Sequence, residues 1–190
     1  EAGIDFVNLP EEPYDNPLGE YTGAGVIFGA TGGVMEAALR TAVEKITGEE
    51  LIDLEFKDVR GTEGIKEASY DLNGTTVKVA VASGLANARK VMDMVRAGEG
   101  DYTFIEIMAC PGGCVNGGGQ PHVPAKIRNF NDVRAIRAKG LYTLDKNAPL
   151  RKSHENPVIV KMYEDYFGEP GSEKAHHALH TSYVKRRVNQ

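Results

Sequence analysis

Ile105-Glu106-Ile107-Met108-Ala109-Cys110-Pro111-Gly112-Gly113-Cys114-Val115-Asn116-Gly117-Gly118-Gly119-Gln120-Pro121 decides how the rest of the chain is read. It contains both cysteines, five of the 22 glycines and two of the nine prolines. Tyr102 to Met108 has the β-branched and aromatic content of a short buried strand, bounded by charge and by Pro/Gly. Cys110 follows at the strand's carboxyl end, where open α/β sheets place their ligands. In a helix, Cys110 and Cys114 would share one face, a turn apart. Pro111-Gly112-Gly113 argues against a regular helix and for a tight loop that turns both thiols toward one point. Gly117 to Gly119 then allow bare backbone, with its N–H donors, to approach a bulky object. An iron–sulfur cluster needs both features, thiolate ligands and backbone donors to its sulfurs.

Other uses of two cysteines stay open on spacing alone. Both can be buried and inert, because a free Cys packs as a small hydrophobe. A Cys110–Cys114 disulfide would close a very small loop. Zinc would need two further ligands, of which His122 offers one.

Length and composition set the wider frame. The chain has 190 residues, enough for one sizeable core or one domain with an appendage. At 41% hydrophobic and 26% charged residues it reads as an ordinary globular sequence. A net charge of −5 gives no basic face for nucleic acid. No apolar run approaches a membrane span, and no secretory signal is visible. Two cysteines are too few for a secreted disulfide framework, so a reducing, cytoplasmic setting is the expectation. The opening at Glu1 reads as mid-chain sequence, so a fragment or one piece of a split protein is expected.

Outward from the cysteines the chain divides into three parts. Residues 1–22 are acidic and interrupted by Pro10, Pro13 and Pro17, with turns expected at Asn8-Leu9-Pro10 and Asp15-Asn16-Pro17. Residues 23–145 carry α/β signals, and residues 146–190 read as helical. Gly23 to Gly33 is glycine-rich and leads into a helix from Val34, with Thr31 near the N-cap and Gly48 near the end. That turn matches neither Gly-x-Gly-x-x-Gly after a strand nor a Walker loop.

Alternation predicts a half-buried strand over Leu51 to Val59. Strands are expected over Ala68 to Leu72 and Thr75 to Ala82, joined by an Asn73-Gly74 turn. A helix over Leu85 to Ala97, ended by Gly98, then leads to the Tyr102–Met108 strand, giving a parallel, right-handed unit. Asn131 to Lys139 reads as an amphipathic helix whose Arg134, Arg137 and Lys139 form a solvated face. Residues 143–153 read as irregular. Helices follow over Val158 to Phe167, opened by Pro157, and over Glu173 to Tyr183, with Lys185-Arg186-Arg187 as a solvated tail. His176 and His180 share a helical face, but without a third ligand they read as structural.

Glu106 to Cys114, followed by Val115 to Pro121, resembles the third cluster-binding motif of the iron-only ([FeFe]) hydrogenases. Weaker similarity runs from about Gly23 to Tyr183, including Ser153-His154-Glu155-Asn156-Pro157 and Lys161-Met162-Tyr163. The resemblance implies an α/β fold with a mostly parallel sheet flanked by helices, one lobe of a two-lobed domain, with a helical C-terminal extension. It implies an H-cluster: a [4Fe–4S] cubane joined through one cysteine to a two-iron subsite carrying CO and cyanide.

On that resemblance Cys110 ligates the cubane and Cys114 bridges it to the two-iron subsite. Met108 lines the pocket, Phe28 and Val34 form its apolar wall, and backbone N–H groups near Gly29 and Thr31 face the anionic centre. The family's first two cysteine motifs are absent from this sequence. The expected partner is therefore the N-terminal half of the same domain, which in the family brings the other cubane cysteines. Electrons would pass to a ferredoxin or a nicotinamide-linked carrier through that missing part. The region from residue 146 resembles a segment that some members carry as a separate small subunit. Cytosolic iron–sulfur assembly proteins and sensory hydrogenases are the alternative readings.

Overall fold

The computed structural model describes residues 2–15 and 19–184. The expected turn at Asp15-Asn16-Pro17 and the Lys185-Arg186-Arg187 tail lie outside them in whole or in part. Residues 2–15 are exposed and hold a single short turn, Phe6–Asn8. Seven α-helices then follow in chain order: α1 (Gly23–Val26), α2 (Gly33–Thr47), α3 (Leu85–Ala97), α4 (Ala125–Arg128), α5 (Val133–Asn147), α6 (Pro157–Met162) and α7 (Glu173–Leu179). The strands are β1 (Ile65–Leu72), β2 (Thr75–Ser83) and β3 (Phe104–Met108), in spatial order β1-β2-β3.

The layers follow from the period-2 pattern of β2. Val79 and Val81 face Met35 and Leu39 of α2 together with Val59. Ala80 and Ala82 face Val91 of α3, with Ile65 and Ile105 beside them. Successive side chains of a strand leave opposite faces, so one strand serves both cores. The α/β architecture with flanking helices is as expected, but the pairing is mixed. β2 runs parallel to β3, closing the anticipated strand–helix–strand unit, whereas β1 pairs antiparallel with β2 over eight residues. The reason is the Asn73-Gly74 hairpin: Asn73 has φ 53° and Gly74 φ 82°, and a two-residue turn joins only antiparallel neighbours.

The strand expected over Leu51 to Val59 is absent. Its backbone is satisfied locally. The Glu55 N–H donates to the Asp53 carboxylate at 3.0 Å, and Val59 N–H donates to the Phe56 carbonyl at 3.3 Å, closing the turn Lys57–Val59. Side chain-to-backbone turns of this kind compete directly with a ladder. The stretch read as irregular from residue 143 is helical to Asn147, because α5 continues through it from its Asp132 cap. The last helix ends at Leu179, short of Tyr183. Pro157 opens α6 as expected, with the Asn156 side chain accepting from Val158 and Ile159 N–H.

Six charged side chains tie the α/β layers to the C-terminal segment. Arg40 of α2 is fully buried, as is Glu36, and Asp145 of α5 is 1% exposed. The Arg40 guanidinium donates to both oxygens of Asp145 (2.7 and 2.8 Å), to Glu36 (2.8 Å) and to the carbonyls of Leu54 (3.0 Å) and Arg151 (2.9 Å). All five guanidinium donors are thereby matched. Arg60 pairs with Glu36 and Glu55, and Arg151 with Asp145 and Glu55. Against the upward push of burial, Arg40 and Arg151 hold the Asp145 carboxyl below its ordinary range. No helix among the described residues is long and apolar enough to cross a membrane.

Candidate functional site

Strand β3 delivers the cysteines. Cys110 stands two residues beyond its end, and the chain reverses at Gly112 (φ 87°) and Gly113 (φ 96°). The loop closes on itself. Gly113 N–H donates to the Cys110 carbonyl at 2.9 Å, Asn116 N–H to Gly113 at 3.0 Å and Gly117 N–H to Cys114 at 2.9 Å. The Asn116 side chain adds a bond to the Pro111 carbonyl at 3.1 Å. This is the tight glycine loop read from the sequence, with one short turn at Cys114–Asn116 in place of a helix. Both cysteines are free; Cys110 is half-buried and Cys114 exposed.

A second backbone segment presses on this loop. Thr31 N–H donates to the Gly112 carbonyl at 3.1 Å, so that donor is committed to the loop. A Cβ on Gly113 would stand 2.6 Å from the Thr31 nitrogen and 2.7 Å from the Gly29 carbonyl oxygen, closer than real Cβ contacts come. Gly29 and Thr31 thus lie against the cysteine turn, and the Thr31 N–H expected to face an anionic centre is spent on the Gly112 carbonyl instead. Cys114 and Gly29 also line one open cavity of about 700 Å3. Its apolar wall is Val26 with Leu141 and Leu144 of α5. Of the residues read as pocket wall, Met108 is half-buried at the end of β3, Val34 is half-buried on the first turn of α2, and Phe28 is 44% exposed.

The N-terminus of α2 is capped by a residue that the sequence did not single out. Thr31 was expected near the cap; the cap position is Gly32, whose side chain can accept nothing. The Glu106 carboxylate, on β3, accepts from Gly32 N–H at 2.6 Å and Met35 N–H at 2.7 Å. A carboxylate at a helix start satisfies orphan donors and meets the positive end of the dipole. Lys66 lies beside it, its ammonium donating to the carbonyls of Thr31 (3.2 Å) and Gly61 (3.0 Å). Burial pushes the Lys66 pKa down to about 8, opposed by the Glu106 and Glu63 charges. Glu106 therefore joins the cysteine strand to the helix whose entry segment supports the cysteine loop. Its signal in the sequence was a lone acid inside the apolar run Ile105 to Met108.

Glu106→Gln keeps one acceptor but points an amide donor at a backbone N–H. It is expected to lower stability by about 1–3 kcal/mol, the desolvation penalty of a buried donor left unmatched. The midpoint of chemical unfolding checks this.

Arg134 and Arg137 also depart from the solvated face read for them. Arg137 donates to the Val115 carbonyl and to the Pro121 carbonyl, both at 2.8 Å, while Arg134 packs its methylenes on Gly112. The periodicity of α5 could not reveal this, because both acceptors are backbone atoms of a distant loop. His154 bonds Glu44 and Thr41, and the His176 and His180 rings lie 4.3 Å apart, tilted by 52°.

The donor set fits half of a cluster site. Among the described residues no three His, Cys, Asp or Glu side chains gather as metal ligands, and a cubane usually takes four thiolates. Two free thiols on a glycine turn, with an exposed Cys114 beside a roomy cavity, suit a cluster completed by ligands from elsewhere.

Comparisons with known proteins agree. The family described as iron only hydrogenase large subunit, C-terminal domain, matches residues 1–118, and iron hydrogenase small subunit matches residues 131–186. Iron hydrogenase 1 of Clostridium pasteurianum is 51% identical over 97% of this chain and 32% of its own length. The [FeFe]-hydrogenase HydA1 of Chlamydomonas reinhardtii, in a variant form, superposes with a TM-score of 0.64 at 44% identity, covering 96% of this chain and 51% of that one. Another [FeFe]-hydrogenase structure, 45% identical with a TM-score of 0.66, concerns oxygen inactivation through the 2Fe subcluster of its H cluster. Protein NAR1 of Arabidopsis thaliana is more distant, at 33% identity over 95% of this chain. The chain spans about a third of the length of such curated relatives.

Proposed function

The chain belongs to the iron-only hydrogenases, and on that premise we propose that it forms the C-terminal half of an H-cluster domain that interconverts H2 with protons and electrons. The observation that carries this reading is the pair Cys110 and Cys114 on a glycine turn, braced by Gly29 to Thr31 and opening on an apolar-walled cavity. In this reading Cys110 holds the cubane, and Cys114 joins the cubane to the two-iron subsite. The same reading assigns Met108, Phe28 and Val34 to the pocket, although none of the three lines this cavity, and Gly29 and Thr31 offer close backbone. The bound H-cluster, with its CO and cyanide ligands, supplies the chemistry of the H–H bond. The chain's own residues would hold the two thiolates, and Val26, Leu141 and Leu144 would give this side of the site an apolar wall.

The remaining cubane ligands come from the N-terminal half of the domain, so residues 1–190 alone are inactive. Electrons pass through that half to a ferredoxin or a nicotinamide-linked carrier, and the setting is cytoplasmic, where free thiols persist.

Infrared spectra of the full-length protein, loaded with cofactor, test the reading. Bands of metal-bound CO and cyanide support it; a cubane without them would point to an assembly protein instead. Cys114→Ser is expected to abolish both the bands and H2 turnover. Turnover at the wild-type rate in that variant would remove the bridging role.

A further inference from the structure

Arg137 occupies an unusual position for a surface helix residue. It lies on α5, within the stretch that matches the small-subunit family, yet both of its bonds go to the cysteine loop. The two carbonyls it joins, Val115 and Pro121, bracket the five residues Asn116 to Gln120. The guanidinium thus closes the glycine-rich segment that follows Cys114. The planar fork spans the two acceptors with separate Nη1 and Nη2 donors, a fixed geometry that a lysine's single nitrogen does not reproduce.

Among the described residues no carboxylate pairs with Arg137, whereas Arg134, three residues earlier on the same helix, pairs with Asp132 at 3.2 Å. Carbonyl acceptors satisfy the donors and leave the full positive charge in place. Arg137 and Cys114 line the same cavity, whose other walls include the apolar Val26, Leu141 and Leu144 and the polar Gln120 and Thr143. An unneutralised cation beside an apolar wall favours an anion in that space, because apolar surroundings screen charge poorly.

Resting on the hydrogenase reading above, we propose that Arg137 is a positioning residue for the anionic metal group held at Cys114: it fastens the loop that carries this thiolate and sets the potential of that group with its charge. Net charge and hydrogen bonding around a cluster are among the factors that fix its potential. Positive charge nearby stabilises the reduced form and withdraws electron density from the metal. Removing it lowers the potential and strengthens back-donation into bound CO, which weakens the C–O bond.

The test uses the full-length enzyme and two substitutions that separate charge from shape. Arg137→Gln keeps a donor for one carbonyl and loses the charge. Arg137→Lys keeps the charge and loses the fork. The expected result is a shift of the CO bands to lower wavenumber and a lower midpoint potential in Arg137→Gln, with Arg137→Lys close to wild type on both. Bands of Arg137→Gln that coincide with wild type would overturn the inference, as would an equal shift in Arg137→Lys. So would failure of both folded variants to take up the cofactor, since the role would then be mechanical alone. A wild-type enzyme with no CO or cyanide bands would sink the hydrogenase reading itself, and the inference with it.

Discussion

Arg40→Met is expected to destabilise the folded protein by about 3–5 kcal/mol, the usual consequence of removing one member of a buried ionic network and leaving an excess charge inside. Arg40, Arg60 and Arg151 balance Glu36, Glu55 and Asp145. Without Arg40 the carboxylates of Glu36 and Asp145 remain in a region with almost no solvent access. Four of the acceptors that lose a bond lie outside α2, on Asp145, Leu54 and Arg151, so the loss extends across the joint between the α/β layers and the C-terminal segment. Chemical unfolding of the full-length protein reads the effect.

Two controls identify the mechanism. Asp145→Leu combined with Arg40→Met should cost less than the two single changes added together, because the pair is removed as a unit. Arg96→Ala, which breaks an exposed pair with Asp93, should move stability by no more than about 1 kcal/mol. A loss as small as that in Arg40→Met would show that water reaches the network.

Gly113→Ala is expected to be nearly as damaging, and at the site itself. The residue has φ 96°, outside the comfortable range of an L side chain, which costs about 1–3 kcal/mol. The added methyl would also meet the Thr31 nitrogen, the Gly29 carbonyl oxygen and the Ala30 carbonyl carbon at 2.6, 2.7 and 2.9 Å. All three are backbone atoms, so the methyl cannot be accommodated by a rotamer change, and overpacking adds about 1–3 kcal/mol more. The loop must move away from Gly29 to Thr31, taking Cys114 with it. Iron content and the CO bands of the full-length enzyme should fall together. Gly118→Ala, five residues on, meets nothing within 4 Å and should load normally. Normal loading in both variants would mean that the cysteine turn does not depend on the Gly29–Thr31 segment.

The sequence exposed those parts of the molecule that are decided by neighbours along the chain. Asn73-Gly74 announced a hairpin, Leu85 to Ala97 a helix bounded by glycine, and Cys110 to Cys114 a loop, because each signal fits within a few residues. What it concealed depends on pairs that meet only after folding. Arg40 and Asp145 are 105 residues apart, and nothing local marks either as buried. Glu106 caps a helix that begins more than seventy residues earlier. Arg137 looked like part of a solvated face because helical periodicity reports which side a residue lies on and not what approaches that side. Leu51 to Val59 alternated like a strand, but Asp53 offered its backbone a nearer acceptor.

The hydrogen bonds inside the cysteine loop have a consequence for how a cofactor arrives. Gly113, Asn116 and Gly117 N–H groups are spent on the loop's own carbonyls, Thr31 N–H on Gly112, and the Arg137 guanidinium on Val115 and Pro121. None of these contacts requires iron. A zinc finger gains its fold from the metal; this loop is a finished receptacle on its side of the site. Insertion then resembles docking into a rigid receptor, with little chain entropy to lose on arrival.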